Sequence, residues 1–391
     1  MSASTQGRTP SHRVALERPS AARSGSEPAA TLPITLSVIM PTVFWSGTFE
    51  RCARRLLSQL AHAKTAVEVV FVFDGKAPPT PAWLDQPGVT VVTTGVRSGP
   101  AIARNLAARS ARGNILFFVD ADVELAPDAL ERVWTAFDAD PDMVGLFGAY
   151  DDEPAAHGVA STFRNLLHHH THATNPGPAQ TFWSGCGAMR AAAFLDVGGF
   201  DAKYAVPSVE DIELGMRIVA NGGRIVLDPQ IRCKLLKHWS LTSMVITDVA
   251  HRARPWTQLI INARCMPGTL NLNWRNRLSS LCSLFLVGFM GASPFVPAAL
   301  WAALACGLAV AALNHDFYRL CLKKRGIRFA AASFALHLFF FIYSAGTFCV
   351  VLLQEILWNP LQSMTCTYCL PSTPASGRTT TAPTLIGSAT R

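Results

Sequence analysis

The sequence predicts an α/β domain over residues 34–270, followed by apolar helices of membrane-spanning length over 278–358. Three observations predict it. From Leu36 onward, short apolar runs alternate with segments whose apolar positions recur at helical spacing. Near the C-terminus, two long apolar runs carry almost no charge. Half of the 391 residues are hydrophobic, more than one domain core absorbs, so the surplus belongs in a membrane or a second core.

Residues 1–33 are Ser, Ala, Arg and Pro without an apolar period, which predicts a disordered tail, and no apolar stretch marks a secretory signal. Leu36–Met40, Val67–Phe73, Val89–Thr93 and Ile115–Val119 read as strands, with helices over Gly47–Ala63 and Gly99–Arg112 between them. Strands separated by helices imply a parallel sheet covered on both faces. The alternation continues through Pro127–Phe137, Met143–Ala149, a helix near Val159–His169, a strand over Arg224–Leu235 and a helix over Ser243–Arg264.

From Leu278 to His315 no residue carries a formal charge, and Phe329–Leu353 is equally apolar; each run exceeds the roughly 20 residues a bilayer crossing needs. A pair of buried core helices is the alternative. Pro294 and Pro297 near the middle of the first run predict that it folds back into two short spans, crossing or re-entrant, about three spans in all. The basic segment Lys323, Lys324, Arg325 and Arg328 then faces the cytosol with the N-terminal α/β domain, in a multi-pass protein of the cell membrane. Residues 359–391 read as a flexible tail.

Charged residues are only 15%, with a net charge of +8, which suits nucleotide diphosphates or acidic headgroups. Nucleic acid is excluded as a partner, because the basic residues are scattered without an aromatic and basic stripe. The cysteines sit mostly alone in apolar surroundings, and the one CxxC, Cys366 and Cys369, lacks the second ligand pair of a zinc knuckle.

In open α/β sheets ligands bind beyond the carboxyl ends of strands. Acidic residues stand there in three places: Asp74 with Gly75, Asp120 with Asp122, and Glu210 with Asp211. Neither a Walker A loop nor GxGxxG is present. Two carboxylates at i and i+2 after a buried strand are costly unless neutralised, and a divalent cation on a diphosphate does that with hard oxygen ligands. An exposed turn with Asp120 capping the next helix is the alternative. Arg97 to Asn105 brings a glycine turn and a helix start whose free amides and positive dipole end suit an anion, with Arg104 adding charge or lying on a solvated face.

These motifs together resemble the family 2 glycosyltransferases of GT-A fold. Ser37-Val38-Ile39-Met40-Pro41-Thr42 is similar to the family's opening strand and turn, and Phe73-Asp74-Gly75 to its acidic turn. Gly99 through Asn105 is similar to the GxxxARN helix, Phe118 to Asp122 to the DxD strand, Gly198-Gly199-Phe200-Asp201 to the GGFD turn, and Glu210-Asp211 to the ED motif. The resemblance spans Leu36 to about Pro229. It implies that Pro41, Thr42, Asp74, Arg104 and Asp120 bind the donor, with Asp74 on the uracil edge of a UDP-sugar. It implies that Asp122, with Asp120, holds Mg2+ or Mn2+ on the diphosphate, and that Asp211 is the general base of an inverting transfer, oriented by Glu210.

Phe73 and Val43-Phe44 depart from the family pattern, which leaves the base open between uracil and guanine. In place of the processive Gln-x-x-Arg-Trp stands His251 to Trp256, so a single addition is expected, with Arg254 and Trp256 toward the acceptor. Trp183 and Gly185, in a glycine-rich loop, are candidates for the sugar side, with a core tryptophan as the alternative. His238 is a candidate third metal ligand, against surface packing beside Trp239, and the His168–His172 cluster reads as an acceptor-side or lid helix. The expected partners are a UDP- or GDP-linked sugar, the membrane, and a lipid, polyprenyl phosphate or glycan acceptor. Two rivals are a sugar-nucleotide pyrophosphorylase, for which Thr42–Thr48 lacks the basic loop, and a non-catalytic membrane scaffold with a degenerate transferase domain.

Overall fold

The structure, a computed structural model, describes residues 34–358 apart from residues 265, 266 and 269; the two tails, with Cys366 and Cys369, lie outside the described residues. The first half follows the predicted alternation: β1 (Ile34–Thr42), α1 (Gly47–Leu60), β2 (Ala66–Phe73), β3 (Val89–Thr93), α2 (Pro100–Ser110) and β4 (Ile115–Val119). β1 pairs in parallel with both β2 and β4, and β2 with β3. Because side chains alternate across a strand, both faces of this quartet are apolar. Val38, Met40, Phe71 and Phe117 pack with Phe49, Cys52 and Leu56 of α1. Ile39, Val70, Val72 and Phe118 pack with the alanines of α2 on the other side.

The second half corrects the expectation of a wholly parallel sheet. It comprises β5 (Val123–Leu125), α3 (Ala129–Ala139), β6 (Met143–Tyr150), α4 (Val159–Ala173), β7 (Gly177–Ala179), β8 (Cys186–Arg190), α5 (Ala191–Asp196), α6 (Glu210–Ala220) and β9 (Arg224–Leu235). The order is β3-β2-β1-β4-β8-β6-β9-β5, with β7 on β9, and β8 runs antiparallel between β4 and β6. β8 reads Cys-Gly-Ala-Met-Arg, too small-sided to give an apolar run, so periodicity misses it. Gly187 is required there, since a Cβ would lie 2.2 Å from the Trp183 carbonyl oxygen. Placing β8 beside β4 carries the preceding loop, Phe182 to Gly185, to the carboxyl end of β4.

β9 leads into a continuous helix built of α7 (Leu241–Ile246), a π-helical stretch over Thr247–Ala253 and α8 (Arg254–Ala263). Then come α9 (Trp274–Ala292), α10 (Ala299–Leu313) and α11 (His315–Trp358). Pro294 and Pro297 fall between α9 and α10, which pack together as a hairpin. The 15 residues of α10 reach about 22 Å at the α-helical rise, short of a hydrocarbon core of roughly 30 Å. Among the described residues one helix, His315–Leu357, is long and apolar enough to cross a membrane, which is a weak indication of membrane association. It kinks at Gly326, where φ is 78°, and one of its faces (Phe317, Cys321, Ser333, His337, Phe341) is buried, against α4 and the 241–263 helix among others. Leu300, Trp301, Leu304 and Leu308 of α10 and Val350, Leu353 and Leu357 of α11 remain exposed.

One buried carboxylate ties the parallel half together. Glu68 of β2 accepts the Ser37 hydroxyl at 2.6 Å, the Arg112 backbone N–H and the Arg112 guanidinium at 2.9 Å, joining β1, β2 and the entry to β4. Burial alone raises its pKa, but these hydrogen bonds more than offset it and hold the carboxyl below the ordinary range. Glu68→Ala is expected to cost about 1–3 kcal/mol at pH 7, read as a lower unfolding midpoint of the full chain in detergent. A depressed carboxylate stabilises above its unfolded value of about 4.3 and loses that contribution as pH falls through the folded value, so the penalty should shrink in acid.

Candidate active site

The acidic motifs converge at the carboxyl ends of β2 and β4. Asp74 follows β2 and is buried; its carboxylate accepts the backbone N–H groups of Ser98 at 2.8 Å and Gly99 at 3.0 Å and the Thr94 hydroxyl at 3.0 Å. It therefore braces the turn into α2. Gly99, with φ of 89°, leaves no room for a side chain, because a Cβ would meet the Ala205 carbonyl oxygen at 2.3 Å. Thr42 spends its hydroxyl locally, donating to the Phe44 carbonyl at 2.7 Å. Pro41 is half-buried beside it, and Phe44 stands out into solvent next to this turn.

Beyond β4, Asp120 donates its backbone N–H to the Gly185 carbonyl at 3.1 Å, which fixes the β8 loop against the DxD turn. A Cβ on Gly185 would lie 2.6 Å from the Trp183 indole nitrogen, so the glycine lets Trp183 fold over this loop. Trp183 packs against Tyr150 at 4.7 Å and His172 at 5.1 Å between ring centroids. Ser184 donates its backbone N–H to Asp211 at 3.1 Å.

Arg104 occupies the centre. Its guanidinium is buried and donates to Asp120 at 2.7 Å and to Glu210 at 3.0 Å, with the Phe200 ring over it at 5.5 Å. The charge of Arg104 is spent on two carboxylates inside the protein, where it ties the end of β4 to the head of α6. Neither it nor Asn105 lies on a solvated face, since Asn105 exchanges two hydrogen bonds with the Phe200 backbone at 2.8 and 2.9 Å. Glu210 also accepts the Ser208 N–H at 2.8 Å, so both its oxygens are engaged, and its neighbour Asp211 stands beside it at the head of α6.

Two carboxyls are perturbed. Burial first, and then the charge of Glu210, push Asp211 up to about 6, against the Ser184 N–H bond and Arg104. Burial and the charge of Asp120 push Asp122 up to about 6, opposed by Lys237. Asp122 thus carries an insufficiently compensated charge, which a divalent cation would relieve, so the residues present fit a metal. Among the described residues no group of three or more His, Cys, Asp or Glu gathers to hold an ion. His238 is exposed at the β9 exit, where Lys237 lies over Trp239 at 4.1 Å, and it joins no such group.

Residues 37–198 match the model for glycosyl transferase family 2. This region of the chain is a family 2 glycosyltransferase domain. The fold is of the GT-A type, a mixed α/β sheet, with a long apolar helix at the C-terminus. No curated protein sequence matches the chain. Among solved structures it is similar to the mannosyltransferase PcManGT from Pyrobaculum calidifontis in complex with GDP-Man and Mn2+, at 18% identity and a TM-score of 0.48, over 85% of this chain and 91% of that one. It is also similar to S. aureus TarS 1-349, at 18% identity and a TM-score of 0.41, over 84% of this chain and 93% of that one.

Sequence reasoning missed several residues that the glycosyltransferase domain gathers here. Tyr150, at the carboxyl end of β6, is held well above the ordinary phenol range by burial and then by Asp122. The rule that ligands gather beyond strand ends could have found it. Lys237 was passed over for its neighbour His238, and Arg252 for Arg254. Arg254 is exposed, whereas Trp256 lines a cavity behind the site together with Arg252. Arg104→Ala leaves Glu210 buried without its cation, so the full chain should lose about 3–5 kcal/mol of stability, measured as a fall in unfolding midpoint. An unchanged midpoint would show that the bridge does not hold the site.

Proposed function

We propose that the chain is an inverting, metal-dependent glycosyltransferase that moves one sugar from a UDP- or GDP-linked donor to a lipid-borne acceptor at the membrane surface, with Asp211 as the general base. The observation that carries this reading is the placement of Asp211, half-buried at the head of α6 and tied through Ser184 and the Glu210–Arg104–Asp120 bridge to the DxD turn. Base and leaving-group site are thereby held in one frame, which is what an in-line displacement requires.

Asp211 accepts the proton of the acceptor hydroxyl as the oxygen attacks the anomeric carbon; the bond to the nucleotide diphosphate breaks on the opposite face, which inverts configuration. Glu210 and Arg104 keep the carboxylate in place. Asp122 and Asp120 would hold Mg2+ or Mn2+, which offsets the charge of the departing diphosphate. The raised pKa of Asp211 makes it a better base than an ordinary aspartate while leaving it ionised at neutral pH.

Attachment to the membrane is supported by the apolar surfaces of α10 and α11. That the basic segment lies on the side of the catalytic domain, and hence in the cytosol, is supported by the ion pair of Lys324 with Asp152 at 2.5 Å. The α9–α10 hairpin is read as re-entrant, given the shortness of α10. The transferase reading is favoured over a degenerate scaffold because the carboxylates the chemistry needs are all present and braced.

Asp211→Asn should lower kcat by on the order of 10²–10⁴ while leaving donor affinity nearly intact. With metal saturating, Asp122 is ionised, so the wild-type kcat/KM should fall as pH drops below about 6, where Asp211 takes up a proton. Donor affinity that collapses while kcat holds would remove Asp211 as the base. Asp122→Ala should abolish transfer and weaken donor binding in Mg2+ or Mn2+, and chelation of the wild type by EDTA should do the same; full activity in EDTA would overturn the metal requirement.

A further inference from the structure

Behind the active site lies a cavity of about 490 Å³, enclosed by α4, the 241–263 helix, α9 and α11. Its two ends differ in chemistry. One end is formed by Arg164 and His168 of α4 and Asp248 and Arg252 of the π-helical stretch. The rest is mainly apolar, with Ile260 of α8, Leu281 and Leu284 of α9, and Phe340, Phe341 and Phe348 of α11; Arg277 also lines it, and its guanidinium donates to the Leu272 and Pro267 carbonyls.

The polar end carries unbalanced positive charge. Asp248 is already committed: it makes a bidentate pair with Arg164, one of the two bonds being 2.9 Å, and accepts the Tyr343 hydroxyl at 2.6 Å. Arg252 donates instead to the neutral ring of His168 at 3.2 Å, and burial, with the charge of Arg164, works against its protonated form. Arg164 Nε is buried without a hydrogen-bond partner. A half-buried guanidinium beside a second arginine and without its own carboxylate is costly unless an anion completes it. Phosphate fits that role, since arginine binds it in a forked geometry.

This end also reaches the reaction centre. The His168 ring meets Tyr150 at 5.8 Å, Tyr150 meets Trp183 at 4.7 Å, and the next residue, Ser184, donates to Asp211. From the other side, the Ser208 hydroxyl donates to the His251 carbonyl at 2.9 Å, joining the loop before Glu210 to the residue before Arg252. The apolar end is walled by α11, the helix of membrane-crossing length and composition. A hydrocarbon chain could therefore enter from a bilayer while its head lay beside the base.

We propose that this cavity binds the acceptor, a long-chain lipid phosphate or diphosphate whose head group carries the attacking hydroxyl, with the phosphate on Arg252 and the chain between α8, α9 and α11. The proposal rests on the transferase reading above. It also narrows it. A lipid monophosphate is already ionised at neutral pH and needs no base to attack, so a catalytic Asp211 implies a hydroxyl nucleophile beyond the phosphate. The phosphate anchors rather than reacts. In the transfer, the hydroxyl proton passes to Asp211, its oxygen bonds to the anomeric carbon, and the nucleoside diphosphate leaves with the electrons of the broken bond.

The test uses the full chain in phosphatidylcholine nanodiscs and three probes: geranylgeranyl phosphate, geranylgeraniol and inorganic phosphate. Geranylgeranyl phosphate should bind saturably. The alcohol should bind about tenfold or more weakly, and millimolar inorganic phosphate should not compete, because chain and charge are both required. Arg252→Ala should weaken binding of the phosphate by about 10–100-fold, Arg252→Lys should recover part of it, and Ser344→Trp, which fills the slot, should abolish it. Equal binding of the alcohol and the phosphate by the wild type would overturn the proposal without any variant having to fold, as would competition by free phosphate. Release of nucleotide from UDP- and GDP-sugars is measured in parallel with a geranylgeranyl diphosphate-linked sugar added as the hydroxyl-bearing acceptor. Nucleotide release without lipid-phosphate binding overturns the cavity assignment and leaves transfer standing; lipid-phosphate binding without release supports the cavity and overturns the transfer reading.

Discussion

The guanidinium of Arg104, buried between Asp120 and Glu210, is the interaction on which the site depends. It brings a carboxylate from the end of β4 and one from the head of α6, 90 residues apart in sequence (120 and 210), to opposite sides of one cation. Each of the three alone would be an expensive buried charge, and together they form a compensated cluster. With Asp120 and Glu210 occupied by this bridge, Asp122 and Asp211 are the carboxylates of the two motifs that make no ion pair with Arg104. Burial first, and then the charge of Asp120 and of Glu210 respectively, raises their affinity for protons. The two acidic pairs thus each contain one member that is ion-paired to Arg104 and one that is not.

The sheet explains why the frame is rigid enough for that division. Its parallel half buries both faces, so β4 ends at a fixed height, and β8 runs back beside it to deliver the Trp183–Gly185 loop to the same edge. Three glycines make the approach possible: at Gly99, Gly185 and Gly187 a side chain would collide with the Ala205 carbonyl, the Trp183 indole and the Trp183 carbonyl. The helix over 241–263 and α11 close the site from behind, and the shared Arg164–Asp248–Tyr343 cluster makes the C-terminal helices part of the domain's architecture rather than a detached anchor. Buried polar clusters of this kind favour one docking over others when every group is satisfied, and here Arg164 Nε is the atom still open.

Much of this was legible in the residues themselves. Periodicity located β1 to β4 and the helices between them, because strands buried on both faces read as continuous apolar runs. Asp74, Asp120, Asp122, Glu210 and Asp211 were legible as a group because each pair or single acid stands at a strand or helix end, where a carboxylate needs a reason to be. The prolines at 294 and 297 marked the break between α9 and α10 through their missing N–H groups and fixed φ.

Other features were decided only in three dimensions. β8 escaped because its pairing, not its side chains, makes it a strand, and a five-residue segment of small residues has no period to read. That Arg252 and not Arg254 lines the cavity goes with the π-helical stretch, whose extra residue per turn rotates the helix face in a way that 3.6-residue spacing cannot anticipate. Arg104 could be placed on a helix from sequence, but whether its charge met solvent, a donor or two buried carboxylates depended on the approach of α6, which no local pattern encodes. The sequence by itself thus determined the fold class, the acidic inventory and the apolar C-terminus, because these follow from local period and composition. The tertiary structure alone decided which carboxylates are braced, which are free, and that a charged cavity lies between the domain and its C-terminal helices, because each depends on contacts between segments far apart in the chain.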